Sequence, residues 1–327
     1  MGHRLRVLEL YCGIGGCAAA VGDRAQIVAA VDINLKALEV VAHNFPHPRV
    51  ARTLESIPTK LWREWQADLW WLSPPCQPYT QRGRQRDLDD PRAASFVVVL
   101  DRLAELRPPF VALENVPGFH GSKAYGRLRE VLHSAGYAVH ERLLCPTDLG
   151  VPNRRRRFYL VASRQGALAW DSSAARLGPV QSMERLAGRA RLLPSRGPDP
   201  DRKTLFSVRE ILDPHPQASL GVPQAMVEQY AGALHRVDAA EETAECACFT
   251  AGYGRSFVRS GSYLVTHDGL RRFSPAEILR LLCFPAAFTL PAQLTPRQAW
   301  PLVGNSLSVR AVQAVLEPVF ERFCNRG

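Results

Sequence analysis

The chain has 327 residues, 46% of them hydrophobic, which is enough to bury a full core and to split into two domains of unequal size. No apolar run approaches the roughly 20 residues of a membrane span, and Met1-Gly2-His3-Arg4-Leu5-Arg6 runs into a strand without a signal-peptide core, so a cytoplasmic location is expected, or a nuclear one in a eukaryote. The net charge of +10 comes almost wholly from arginine, since Lys36, Lys60, Lys123 and Lys203 are the only lysines; arginine forks suit phosphates and base edges, a GC-rich genome produces the same bias, and composition leaves both open.

Arg6 to Tyr11 is a short apolar strand that breaks into Cys12-Gly13-Ile14-Gly15-Gly16, after which Cys17 to Val21 begins a helix. Glycines at such a junction let the backbone approach a ligand and leave helix N–H groups facing it. A second strand, Gln26 to Val31, ends at Asp32, about 20 residues past the first glycine, where a carboxylate takes ribose hydroxyls. The turn and the acid together point to an adenosine ligand, although the acid also suits a simple helix cap. The pattern GxGG is not the GxGxxG of dinucleotide enzymes.

A helix is expected from Leu35 to Asn44, closed by Phe45-Pro46-His47-Pro48. The apolar run Leu69-Trp70-Trp71-Leu72 then ends at Ser73-Pro74-Pro75-Cys76-Gln77-Pro78-Tyr79. Prolines cannot continue a ladder and they fix the backbone, so this turn holds a thiol rigidly. On its own, Cys76 reads more simply as a small buried residue. The polar stretch Gln81 to Pro91 is either a loop closing over a polyanion or a solvated turn.

Ala93 to Leu106 has helical spacing, Phe110 to Leu113 is a strand, and Glu114-Asn115 sits at its end. A helix from Ala124 to Ser134, capped by Gly136, and a strand from Tyr137 to Leu144 follow. Pro152-Asn153-Arg154-Arg155-Arg156-Arg157 leads into the strand Phe158 to Ala162. Alternation of strands and helices argues an α/β fold with a doubly wound, mostly parallel sheet, whose ligands bind at the carboxyl ends of the strands.

Beyond Ala162 the pattern weakens: 164–203 is an irregular connection, and the remainder is a smaller mixed domain. It holds a helix from Pro223 to Leu234, a hairpin around His267-Asp268-Gly269 and the capping box Ser274 to Glu277. A last helix runs from Val309 to Phe323. The expected division is 1–165 plus 297–327 for the larger domain and 166–296 for the smaller. The eight cysteines show no paired CxxC spacing, so neither a metal site nor a disulfide framework is indicated.

Gly13-Ile14-Gly15-Gly16, Pro75-Cys76-Gln77, Glu114-Asn115-Val116, Arg155 with Arg157, Arg272 to Glu277 and Gly304-Asn305-Ser306 occur in one order, and in that order the chain resembles the cytosine-5 methyltransferase superfamily. Leu8-Glu9-Leu10-Tyr11, Asn44-Phe45-Pro46-His47 and above all Cys248-Phe249-Thr250 are similar to the branch that methylates the anticodon loop of aspartate tRNA, at tRNA position 38, rather than DNA.

The resemblance implies S-adenosylmethionine as cofactor, held by Tyr11, Gly13, Gly15, Gly16, Asp32, Asn305 and Ser306. It implies Cys76 as the nucleophile that adds to carbon 6 of cytosine, and Glu114 as a carboxylic acid of raised pKa at ring nitrogen 3. Arg155 and Arg157, two apart on one strand face, hold the cytosine carbonyl and a phosphate, while Asn115 orients either the neighbouring backbone or the base. Gln77, Cys248 and Thr250 are the remaining substrate contacts. The partner is tRNA, no membrane or protein partner is implied, and a monomer is expected. Two other readings stand beside this one: a DNA cytosine-5 methyltransferase, and a catalytically idle nucleic-acid-binding relative.

Overall fold

Short apolar runs separated by glycine, proline and helix-capping signals build one large sheet in this chain. The computed structural model describes residues 4–75, 94–169 and 205–325. Its strands are β1 (Leu5–Leu10), β2 (Ala25–Asp32), β3 (Arg49–Ala51), β4 (Leu69–Leu72), β5 (Phe110–Asn115), β6 (Ala138–Leu144), the two-residue β7 (Asn153–Arg154) and β8 (Arg157–Ser163), followed by four short strands. The sheet is seven-stranded, in the order β3-β2-β1-β4-β5-β8-β6.

The first five of these neighbours run parallel, and β8 is antiparallel to both β5 and β6. After β1 the chain builds outward through β2 and β3, then returns to place β4 on the other side of β1. That reversal makes a crevice at the carboxyl ends of β1 and β4, the place where open α/β sheets bind ligands. Because β8 runs backwards, its first residue, Arg157, lies at the same edge as the last residues of β5.

Alternation along the strands buries both faces. Leu8, Leu10, Val31, Trp70, Leu72, Val111, Leu113 and Leu160 form one core layer. The layer packs with Phe96, Val99, Leu100 and Leu103 of helix α4 (Ala94–Leu106) and Leu128 and Leu132 of α5 (Lys123–Ser134), in chain order after α1 (Gly16–Val21), α2 (Leu35–Asn44) and α3 (Thr59–Glu64). Truncating one such leucine to alanine costs about 2–5 kcal/mol. The alternate residues Val7, Ala30, Trp71, Ala112 and Val161 are buried as well, which is why these strands read as continuous apolar runs. The closing helix, Val309–Cys324, ties back to α1: Gln313 donates to the Ala20 carbonyl.

The chain divides into two compact units, Met1–Leu144 with Arg156–Arg176 and Val312–Gly327, and Cys145–Arg155 with Leu177–Ala311. The expected division puts 145–155 and 297–311 with the larger domain, whereas here both group with the smaller unit, the first of them through the pairing of β7 with β10 (Cys246–Ala247). That unit holds a second sheet in the order β12-β11-β9, made of β9 (His235–Val237), β11 (Ser262–Thr266) and β12 (Gly269–Arg272), with the expected hairpin turn at His267–Asp268. The capping box forms at Ser274, and the Glu277 carboxylate takes both arms of the Arg271 guanidinium at 2.9 and 2.7 Å and the Asp213 N–H. Removing one partner of a buried pair of this kind costs about 3–5 kcal/mol.

Three local expectations are revised. The helix expected from Pro223 to Leu234 spans only Gln224–Gln229, while helices at Thr59–Glu64 and Pro296–Gly304 were not expected. The polar stretch from Gln81 to Pro91 and most of the 164–203 connection lie outside the described residues. Among the described residues no helix is long and apolar enough to cross a membrane.

Candidate active site

Tyr11, immediately after β1, has φ 57°, Gly13 has 52° and Gly15 has 83°, so the chain turns sharply through the left-handed region as it leaves the sheet. A Cβ on Gly15 would lie 2.9 Å from the Phe45 ring, so glycine is required there by contact as well as by conformation; a Cβ on Gly13 would point into open space. Gly16 opens α1. The Tyr11 hydroxyl hydrogen-bonds Ser95 at 3.1 Å.

The helix N–H groups expected to face a ligand are engaged elsewhere. Glu9, in β1 and 1% exposed, accepts from the N–H of Cys17 at 2.9 Å and of Ala18 at 3.3 Å. Burial pushes its carboxyl up to about 8, against the pull of those two donors. The turn therefore presents its glycine backbone, not its helix dipole.

Asp32, ending β2, accepts from the Gly13 N–H and the Asn34 N–H, both at 2.8 Å. It closes the turn onto β2 and leaves the remaining lone pairs of its two oxygens for hydroxyl donors. Beside it Ile33 is 70% exposed, a large apolar side chain directly after the acid. Ile33 was not singled out in the sequence; an apolar residue immediately following a strand-end acid was the available signal. A glycine cleft, an acid with spare acceptors and an exposed apolar side chain fit a nucleoside such as the adenosine of S-adenosylmethionine.

At the other side of the crevice the described residues stop at Pro75, so Cys76 and Gln77 lie outside them. What holds their turn is visible. The Ser73 N–H donates to the Leu10 carbonyl at 3.3 Å, and Asn115, 2% exposed, donates from Nδ2 to the Pro74 carbonyl at 3.1 Å. Asn115 Oδ1 accepts from the Val116 N–H at 2.8 Å. The Asn115 side chain thus bridges two backbone segments. Glu114, beside it on β5, has its carboxylate 3.2 Å from Nε of Arg157. Burial pushes the thiols of Cys12, Cys17, Cys145 and Cys246 up, and that of Cys283 to about 11, the reverse of what a nucleophile needs.

Arg155 and Arg157 do not share a strand face: β7 ends at Arg154, β8 begins at Arg157, and Arg155 falls in the break, in the second unit. Arg155 is 4% exposed. It donates to Cys248 Sγ at 3.3 Å, to the Phe249 carbonyl at 2.9 Å, to the Gly304 carbonyl at 3.2 Å and to the Ser306 carbonyl. Where the sequence has Arg155 as a substrate fork, its guanidinium here ties two segments of its own unit together. Those segments carry Cys248, Thr250, Asn305 and Ser306. They meet so closely that a Cβ on Gly304 would lie 2.3 Å from the Thr250 carbonyl. Asn305 caps the helix Pro296–Gly304.

A sheet in this order, with a glycine turn and an acid at its reversal point and a carboxylate–guanidinium pair at the same edge, is that of the S-adenosylmethionine-dependent methyltransferases. Within that class the chain belongs to the family described as C-5 cytosine-specific DNA methylase, whose model matches residues 5–321. It is a cytosine-5 methyltransferase, with S-adenosylmethionine as methyl donor.

The chain is 32% identical to a tRNA (cytosine(38)-C(5))-methyltransferase of Mus musculus, over 98% of this chain and 94% of the relative. It is 30% identical to the protein of that name from Homo sapiens, over 97% and 99%. The crystal structure of the S. pombe Dnmt2 methyltransferase matches with a TM-score of 0.82 at 27% identity, covering 99% of this chain and 100% of that one.

Proposed function

We propose that this enzyme methylates carbon 5 of a cytosine in the anticodon loop of a tRNA, at position 38 and in the tRNA for aspartate. The observation that carries the reading is end-to-end similarity to relatives named tRNA (cytosine(38)-C(5))-methyltransferase, over 98% of the chain in the mouse protein. Cys248-Phe249-Thr250, clamped by Arg155, supports it. An anticodon loop offers bases that are already partly unstacked, which lowers the cost of drawing one into a pocket.

Carbon 5 of cytosine is too weak a nucleophile to take a methyl group directly. In the proposed chemistry the Cys76 thiolate forms a bond to carbon 6, and the electron pair of the 5,6 double bond moves to carbon 5. Glu114 holds the proton that ring nitrogen 3 gains or shares as the thiolate adds, and Arg157 fixes the carboxyl for that task. Asn115, through the Pro74 carbonyl, holds the turn that carries Cys76. Bound in the cleft of Gly13, Gly15 and Gly16 with Asp32 on the ribose, S-adenosylmethionine supplies an electrophilic methyl group. Ring nitrogen 3 then returns its proton to Glu114, a water molecule takes the proton from carbon 5, and the electron pair left there re-forms the double bond and expels the Cys76 thiolate.

Gln77, Cys248 and Thr250 are assigned to the RNA, Tyr11, Asn305 and Ser306 to the cofactor, and the enzyme is proposed to act as a monomer. Incubation with labelled methyl donor and, in parallel, tRNA and duplex DNA tests the reading. Label is expected in tRNA alone; label in DNA alone identifies a DNA enzyme, and label in neither an idle relative.

A further inference from the structure

The segment that follows Thr250 has features the methylation chemistry does not use. The Thr250 N–H donates to the Ser260 carbonyl at 2.9 Å, closing residues 250–260 into a compact surface loop whose ends meet at the Cys248-Phe249-Thr250 tripeptide. Its interior is tightly made. The N–H groups of Arg255 and Ser256 both donate to the Gly252 carbonyl at 3.0 Å, and Ser260 Oγ donates to the Ser256 carbonyl.

The Phe257 ring stacks on Tyr230 at 5.3 Å and on Tyr263 at 5.8 Å, and the Arg272 guanidinium lies over it at 4.8 Å. Glycines fix both shoulders. Gly254, at φ 89°, would place a Cβ 2.2 Å from Trp300, and Gly261 would place one 2.5 Å from Phe249. The loop is held in one conformation by its packing.

What this rigid frame holds outward is charge. Arg255 and Arg259 are exposed, with the exposed Val258 between them. Among the described residues no carboxylate pairs with either arginine, and no acidic residue occurs between Glu245 and Asp268. The Arg255 guanidinium donates to the Ala251 carbonyl at 3.2 Å, which leaves most of its five donors facing solvent. Arg259 has φ 50°, a left-handed conformation unfavourable for a residue with a Cβ. Strained, charged and unpaired side chains on a rigid scaffold are typical of ligand contacts.

We propose that Arg255 and Arg259 grip two backbone phosphates of the RNA strand that carries the target cytosine. This rests on the tRNA reading above. Guanidinium forks match phosphate oxygens and read no sequence, so the loop sets the register of the strand while the tripeptide at its base meets the nucleotide.

The test is steady-state methylation of tRNA by the full chain over a series of salt concentrations, comparing wild type with Arg255→Gln/Arg259→Gln and with Arg259→Gly. Glycine at 259 relieves the left-handed strain, so that variant separates loss of contact from loss of fold. For the double variant, KM for tRNA is expected to rise about tenfold with kcat within about twofold of wild type. The slope of log KM against log salt becomes shallower by about 1.4, at about 0.7 per single-strand phosphate. Arg259→Gly should show about half that change in slope and a melting temperature no lower than wild type.

Unchanged KM and slope, with the wild type active on tRNA, overturn the loop proposal and leave the tRNA reading standing. A fall in kcat at constant KM overturns it as well. A wild type that methylates only duplex DNA overturns the tRNA reading itself.

Discussion

Two arginines of one motif are predicted to fail in opposite ways. Arg155→Ala removes a guanidinium that donates to the carbonyls of Phe249, Gly304 and Ser306 and to Cys248 Sγ. With the side chain only 4% exposed, those carbonyls are left with little access to water. A buried acceptor without a partner costs about 1–3 kcal/mol. Three of them, partly relieved by relaxation, give about 3–6 kcal/mol, a large share of a typical domain's stability of roughly 5–15 kcal/mol.

Arg155→Lys keeps the charge, but a single ammonium cannot span the fork, and about half of that loss is expected. Arg157→Ala instead breaks a pair with Glu114 at the sheet edge and is expected to cost less than about 2 kcal/mol, while lowering kcat about 100-fold or more. Urea unfolding provides the assay: the midpoint should fall strongly for Arg155→Ala and little for Arg157→Ala, at constant m. If Arg155→Ala unfolds within about 1 kcal/mol of wild type yet loses turnover as Arg157→Ala does, Arg155 is a substrate contact and the account of its clamp is refuted.

Other outcomes follow from the same geometry. Glu9 is raised from 4.5 to about 8 by burial, so the native state keeps a proton that the unfolded chain releases. Its contribution is complete below about pH 4.5 and is lost as pH rises towards 8, by a few kcal/mol at most. Melting temperature should decline across that window, and Glu9→Gln should flatten the decline. Gly15→Ala forces a Cβ at φ 83° to within 2.9 Å of Phe45 and should cost about 2–4 kcal/mol; titration calorimetry should show weaker S-adenosylmethionine binding. Cys76→Ala should abolish methyl transfer while leaving S-adenosylmethionine affinity unchanged, and residual transfer at the wild-type rate would dismiss the covalent mechanism.

The sheet and its functional edge were legible because their signals are local. Glycines at 13 and 15 must turn the chain, an acid closes β2, prolines stop β4, and alternating strands and helices leave one topology for the reversal. The helix Pro296–Gly304 was hidden by its own prolines: Pro296 at its start and Pro301 inside it read as loop residues, although Thr295 and Gln298 form a capping box. The different fates of Arg155 and Arg157 were not readable. The strand break between them is invisible to a two-residue period, and the acceptors that claim Arg155 lie 93 to 151 residues away in sequence. Glu9 was visible as a residue type, but its capping of α1 depends on how deeply β1 is buried.

Methylation of carbon 5 of one cytosine in a tRNA anticodon loop is the activity proposed for this chain. The decisive measurement is bisulfite mapping of small RNAs from cells with and without the protein. A protected cytosine is expected at position 38 of the aspartate tRNA, losing its protection when the gene is removed or Cys76 is changed to alanine. Unaltered protection at that position, with protected cytosines disappearing from DNA instead, would contradict it.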